Sequence, residues 1–178
     1  MALTVGDKAP AFSAKDHAGQ TVSLAGLKGQ YVVLYFYPKD HTSGCTVEAC
    51  DFRDEHSKLK AAGAVVLGVS PDSEKSHQSF IAKHQLPFQL LVDDDKAVAK
   101  AYGAWGEKSL YGRKFMGIIR STFLIAPDGK LAQVWPKVKV DGHVDVVLET
   151  LKAVASGQGL PEKKPAKKKA SPAKKKKG

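Results

Sequence analysis

Tyr31-Val-Val-Leu-Tyr-Phe-Tyr-Pro-Lys-Asp-His-Thr-Ser-Gly-Cys-Thr-Val-Glu-Ala-Cys50 decides how this chain is read. Tyr31 to Tyr37 is an unbroken apolar, β-rich run, the pattern of a strand buried on both faces. Pro38 ends it, Lys39 to Gly44 form a polar loop, and Thr42 is placed as the N-cap of a helix. That helix is expected to run to about Ala62, where Gly63 supplies a stop. Upstream, Ala9 to Phe12 lead into a hairpin that continues through Gly19 to Leu24. Downstream, Ala64 to Val69 reads as a second buried strand, and Ser70-Pro-Asp-Ser-Glu74 opens a helix ending near His84. Gln89 to Val92 is a short third strand, followed by a short helix over residues 95–102.

Ser121 to Ala126 and Lys130 to Trp135 flank Pro127-Asp128-Gly129 and read as a hairpin. His143 to Ser156 is an amphipathic helix with Val144, Val147, Leu148 and Leu151 on one side. Strands alternating with helices, then a hairpin and a last helix, predict one α/β domain with a central mixed sheet and helices on both faces. Trp105, Tyr111 and Trp135 read as packing residues, Trp105 in a glycine-bounded loop overhanging the pocket. His17, His77, His84 and His143 read as solvated polar side chains.

The 178 residues are 43% apolar, enough for a sizeable core, and carry a formal net charge of +10. That charge is unevenly placed: residues 161–178 hold nine lysines and one glutamate, leaving residues 1–160 nearly neutral. The expected division is therefore a folded domain over residues 1–157 and a disordered Lys/Ala/Pro-rich tail over residues 158–178. No stretch approaches the roughly 20 apolar residues of a membrane span, and the first residues lack a secretory pattern. A cytoplasmic protein is expected. Its only cysteines are Cys45 and Cys50, too few and too close for a disulfide scaffold.

Cys45 sits in the first turn of a helix that follows a buried strand. A thiolate there gains from unpaired backbone N–H groups and the positive end of the helix dipole, the setting of a nucleophilic sulfur. Cys50 lies five residues on, about 7.5 Å further along an intact helix and on a different face. A disulfide needs Cα atoms within about 7 Å, so the pair can join only if the first turns unwind. Oxidation of Cys45 is thus expected to be coupled to local unfolding.

Pro38, Thr42 and Cys45 fit the pattern Pro-x-x-x-Thr-x-x-Cys, and Cys50 follows in Cys-Thr-Val-Glu-Ala-Cys-Asp-Phe-Arg-Asp. In these motifs the chain resembles the peroxiredoxins, in particular the bacterioferritin comigratory protein or peroxiredoxin Q branch. The likeness extends through Phe12, Gly68-Val-Ser-Pro-Asp, Leu86-Pro-Phe and Arg120-Ser-Thr-Phe-Leu-Ile, covering residues 3–155. Ser43 stands where the branch commonly has proline, a change of loop stiffness.

The resemblance implies a thioredoxin-like fold and a thiol peroxidase acting on hydrogen peroxide and organic hydroperoxides, with no cofactor or metal. Cys45 would be the attacking thiolate, converted to a sulfenic acid. Thr42 would hydrogen-bond sulfur and peroxide, Arg120 would stabilise the developing charge, and Pro38 would shield the pocket. Glu48, one turn after Cys45, would orient Arg120. Cys50 would be the resolving thiol, giving an intramolecular disulfide reduced by a thioredoxin-like partner, without need of a second subunit.

Other readings compete. Two ordinary buried thiols would need no motif around them, and a thioredoxin-type oxidoreductase would show Cys-x-x-Cys rather than this longer spacing. A zinc site of His41, Cys45, Cys50 and His56 matches no common ligand spacing. The basic tail suits nonspecific nucleic-acid contact, and a DNA-attached protein with secondary thiols is the rival of another class.

Overall fold

The computed structural model describes residues 3–156. Its main sheet has seven strands: β1 (Ser13–Asp16), β2 (Thr21–Ser23), β3 (Tyr31–Phe36), β4 (Ala64–Ser70), β5 (Gln89–Val92), β8 (Ser121–Ile125) and β9 (Leu131–Trp135). A separate two-stranded sheet pairs β6 (Trp105–Leu110) with β7 (Arg113–Ile118). The helices are α1 (Ser43–Asp54), α2 (His56–Ala61), α3 (Glu74–His84), α4 (Ala97–Ala101) and α5 (His143–Ala155).

Strand order is β2-β1-β5-β4-β3-β8-β9. β3, β4 and β5 run parallel, while β1 and β8 join them antiparallel. β3 thus lies inside the sheet, and its apolar run is divided by the two-residue period of a strand. Val33, Tyr35 and Tyr37 enter a core shared with α1, α2, α3 and α5. Val32, Leu34 and Phe36 enter the opposite core, built with α4 and the N-terminal segment. This is the thioredoxin-like arrangement, a mixed sheet covered by helices, with most of them on one face.

The loop after β3 delivers α1 onto the sheet face that carries Tyr35 and Tyr37. Residues 37–42 carry no regular structure, and His41 takes a left-handed backbone with φ of 68°. Thr42 is the N-cap by its extended backbone, and its carbonyl accepts from the Thr46 N–H at 2.8 Å. Its hydroxyl does not cap the helix but donates to the Lys39 carbonyl at 2.8 Å.

The single helix expected to reach Ala62 is two. It breaks at Glu55, whose φ of −101° and ψ of 6° leave the helical range. No glycine or proline marks the break. The re-aimed second piece places Leu59, fully buried, in the same core as Ala64 and Val66 of β4. The glycine-bounded loop expected at Trp105 is instead the start of the β6–β7 hairpin. Trp105 and Trp135 do pack against the cores, but Tyr111, at the hairpin turn, is 94% exposed. His77 and His143 are buried, not solvated.

No helix among the described residues is long and apolar enough to cross a membrane. The basic segment from 158 onward, with the expected domain boundary, lies outside the described residues.

Gly68 of β4 has no room for a side chain: a Cβ there would lie 2.7 Å from Leu90 Cδ2 and 2.9 Å from Tyr35 Cζ. Gly68→Ala should therefore destabilise the fold by about 1–3 kcal/mol through overpacking, readable by urea denaturation. An unchanged midpoint would show that the core around Tyr35 and Leu90 repacks freely there.

Candidate active site

Cys45 is buried in the first turn of α1, where the helix follows the buried strand β3. Arg120 lies immediately before β8, the antiparallel neighbour of β3, so sheet pairing brings it beside the start of α1. Its Nη2 donates to Cys45 Sγ at 3.4 Å, and its Nη1 donates to Glu48 Oε1 at 2.7 Å. A planar guanidinium serves both partners at once, which a lysine does not do. Gly44 allows this approach: a Cβ there would come within 3.3 Å of Nη2.

Glu48 is 0% exposed and is one turn beyond Cys45 on the same helix. Burial pushes its carboxyl up to about 7, and the charge and hydrogen bond of Arg120 pull in the other direction. On the Arg120 side, desolvation disfavours the charge, but Glu48 and the sulfur outweigh it and the guanidinium is held charged. Both values rise, which disfavours the charged form of Glu48 and favours that of Arg120. Burial governs the carboxyl, which titrates near neutrality beside a permanent cation. Glu48 Oε2 has no hydrogen-bond partner among the described residues, an arrangement that tolerates a proton on that oxygen.

Deeper side chains support the cluster. His143, at the start of α5, shares a 2.8 Å hydrogen bond with Thr122 of β8. Burial, then repulsion by Arg120, lowers its pKa to about 4, so it is neutral at physiological pH. Tyr35 of β3 is buried with its hydroxyl unpaired, and burial, followed by the charges of Glu48 and Cys45, raises its pKa. On the outer side, Lys108 of β6 donates to the Ile118 carbonyl at 2.8 Å. Burial lowers its pKa, Arg120 lowers it further, and Cys45 opposes both.

The structure thus brings together Cys45, Glu48 and Arg120. Pro38 and Thr42 lie on the loop entering α1, with the Thr42 hydroxyl directed to Lys39 as described above. Cys50 lies on the same unbroken helix as Cys45, half-buried, and both thiols are free. The proposed zinc ligands diverge: His41 packs edge-on against Phe80 and His56 lies against Phe88. Asp40, Asp72 and His77 place donor atoms within 4.8 Å of one another, but each residue is engaged by protein hydrogen-bond partners. They form a network, not an open metal cradle.

Sequence reading missed Gly44, Tyr35, His143 and Asp40. The only local signal was a glycine in a helix's first turn with no backbone need for it.

A cysteine sulfur at a helix start, met by an arginine, suits attack on a bond whose departing oxygen gathers negative charge. The class that sets this site on a thioredoxin-like sheet is the thiol-dependent peroxidase. Within that class, the chain belongs to the AhpC/TSA family, whose model matches residues 5–134. It is 53% identical over 152 residues to peroxiredoxin Bcp of Bacillus subtilis, covering 85% of this chain and 97% of that protein. With peroxiredoxin Bcp of Escherichia coli it shares 47% over 150 residues, 84% of this chain and 96% of the other. A solved structure of the Xanthomonas campestris bacterioferritin comigratory protein superposes with a TM-score of 0.77 at 45% identity, covering 81% of this chain and 92% of that one.

The raised carboxyl of Glu48 makes a signed prediction. Its ordinary value is 4.5, so below that pH the acid form prevails in folded and unfolded chains alike. As pH rises toward 7 the unfolded chain releases the proton first, and Glu48's contribution to stability falls. The stability difference between parent and Glu48→Gln should therefore shrink over that window by about 1–3 kcal/mol. Parallel pH–stability curves would show that the Glu48 carboxyl titrates in the fold as it does in the unfolded chain.

Proposed function

We propose that Cys45 is the attacking sulfur of this peroxidase and Cys50 its resolving thiol. The carrying observation is the Arg120 guanidinium shared between Cys45 Sγ and Glu48. In the first step the Cys45 thiolate attacks the terminal oxygen of a hydroperoxide and the O–O bond breaks. Sulfur becomes sulfenic, and the departing alkoxide or hydroxide takes up a proton as alcohol or water. Arg120 stabilises charge on the departing oxygen, and Glu48 orients Arg120. Pro38 walls the pocket, and Thr42 keeps its oxygen lone pairs for an incoming peroxide hydroxyl.

In the second step the Cys50 thiol displaces water from the sulfenic acid and forms the disulfide. Helix geometry keeps the two residues about 7.5 Å apart along the axis, so α1 must unwind locally first. An external dithiol protein of thioredoxin type then reduces the disulfide by exchange, itself becoming oxidised. The cycle runs on sulfur alone and closes within one subunit. The substrate class is hydrogen peroxide and alkyl hydroperoxides; the Xanthomonas campestris relative is described by its alkyl peroxide reduction activity. The catalytic unit is residues 1–157, with the basic segment 158–178 as an appendage.

One equivalent of hydrogen peroxide should remove two hydrogens from the intact protein and join Cys45 and Cys50 in a single peptide, read by mass spectrometry. Cys45→Ser should abolish peroxide turnover, and Cys50→Ser should trap sulfenic acid and stop donor-coupled turnover. Wild-type turnover in Cys45→Ser would refute the mechanism. Arg120→Lys should slow the first step by about 100-fold, since an ammonium does not span both partners. A rate within a few-fold of the parent would remove Arg120 from the site.

A further inference from the structure

A second buried polar network lies beside the reactive loop, and the chemistry above does not use it. Asp40 is in the loop between β3 and α1, five residues before Cys45, and is 3% exposed. Its Oδ1 accepts from the Tyr37 hydroxyl at 2.6 Å. Its Oδ2 accepts from Ser76 Oγ at 2.8 Å and faces His77 Nδ1 at 2.7 Å. Its own N–H donates to Asp72 Oδ2 at 2.8 Å, and Asp72 Oδ2 also receives the Ser70 hydroxyl at 2.6 Å.

His77, on α3, is 0% exposed, and its Nε2 lies 2.9 Å from the Leu91 carbonyl of β5. A carbonyl only accepts, so Nε2 carries hydrogen and the ring is fixed with Nδ1 toward Asp40. One residue of the reactive loop is therefore tied to the exit of β3, to β4 through Asp72, to β5 through His77, and to α3.

Burying so many polar groups does little for stability that apolar packing would not do equally well. What the network does supply is a fixed point. The next residue, His41, has φ of 68°, a left-handed conformation uncommon for any residue but glycine. It is held between anchored Asp40 and the first hydrogen-bonded turn of α1. Burial alone would push the Asp40 carboxyl up, but the hydrogen bond and charge of His77, with Tyr37 and Ser76, hold it below the ordinary value.

We propose that the Asp40–His77 pair is a positioning clamp for the peroxide-reactive loop. It fixes residues 38–42 and the start of α1 for attack, and it stops the unwinding that frees Cys50 from spreading back into that loop. Asp40 and His77 are positioning residues that act through Pro38, Thr42 and the N-terminus of α1. The proposal rests on the Cys45–Cys50 cycle, and it separates the two steps. Loss of the clamp slows attack but not disulfide closure, because closure itself requires loosening.

The test uses the full chain and rapid mixing with limiting hydrogen peroxide, followed by alkylation quench and mass analysis of both steps. His77→Phe fills the ring's space and removes both bonds; Tyr37→Phe removes one bond to Asp40; His77→Asn retains a donor near Nδ1. Attack should fall about tenfold or more in His77→Phe, less in Tyr37→Phe, and recover partly in His77→Asn. The closure rate should be equal to the parent's or faster.

Attack within twofold of the parent in both phenylalanine variants overturns the clamp. So does an equal fall of attack and closure that tracks thermal stability, which marks a merely structural role. If His77→Phe does not fold, Tyr37→Phe decides by the same criteria. A parent that forms no Cys45–Cys50 disulfide overturns the cycle itself, a failure distinct from any result on the clamp variants.

Discussion

Arg120 divides its two terminal nitrogens between a buried sulfur and a buried carboxylate, and the surrounding structure serves that division. The guanidinium is held where β8 begins, and β8 is paired to the strand whose exit loop launches α1. Gly44 leaves space for it, and Glu48 accepts its second hydrogen bond from one turn further along the helix. His143 is held neutral behind it. A cation half-sunk among apolar groups persists only when such partners are in place. Positive charge is thereby aimed at the sulfur, the preorganisation on which the proposed attack relies.

The same helix has a second, contrary requirement. In the proposed cycle Cys45 attacks from a formed first turn, and Cys50 reaches it only when that turn is undone. Cys45, Glu48, Ala49 and Phe52 are buried and hold α1 to the sheet, while Val47 is exposed. Near its far end the Asp51 carboxyl is raised by burial and then by Asp54, Asp145, Asp141 and Glu55, a gathering of like charges. An ordered loop and a helix that unwinds are compatible when the loop is anchored independently of the helix, as Asp40 is.

Much of this was legible in one dimension because it depends on local periodicity and local chemistry. The apolar run of β3, the proline that ends it and the thiol just inside a helix start are all short-range signals. So are Pro127-Asp128-Gly129 in the β8–β9 hairpin and Ser73, whose hydroxyl accepts from the Ser76 N–H at 3.1 Å. The missed features lack such signals. The break at Glu55 carries no glycine or proline and follows from the need to place Leu59 in the core beside β4. β6 and β7 alternate charged, glycine and apolar residues without a buried face, so their pairing has no period-two apolar pattern.

By itself the sequence determined the strand–loop–helix unit around Cys45, the strands of the main sheet in chain order and the separation of the two thiols along one helix. These follow from residue spacing, steric preference and helix geometry, which act over a few residues. Only the tertiary structure decided that Arg120 reaches both Cys45 and Glu48, because that contact joins residues 75 positions apart through sheet pairing. Likewise it turned His77 and His143 from apparent surface residues into buried partners of Asp40 and Thr122. A histidine's burial is set by what the fold brings opposite it, and nothing in its neighbours along the chain records that partner.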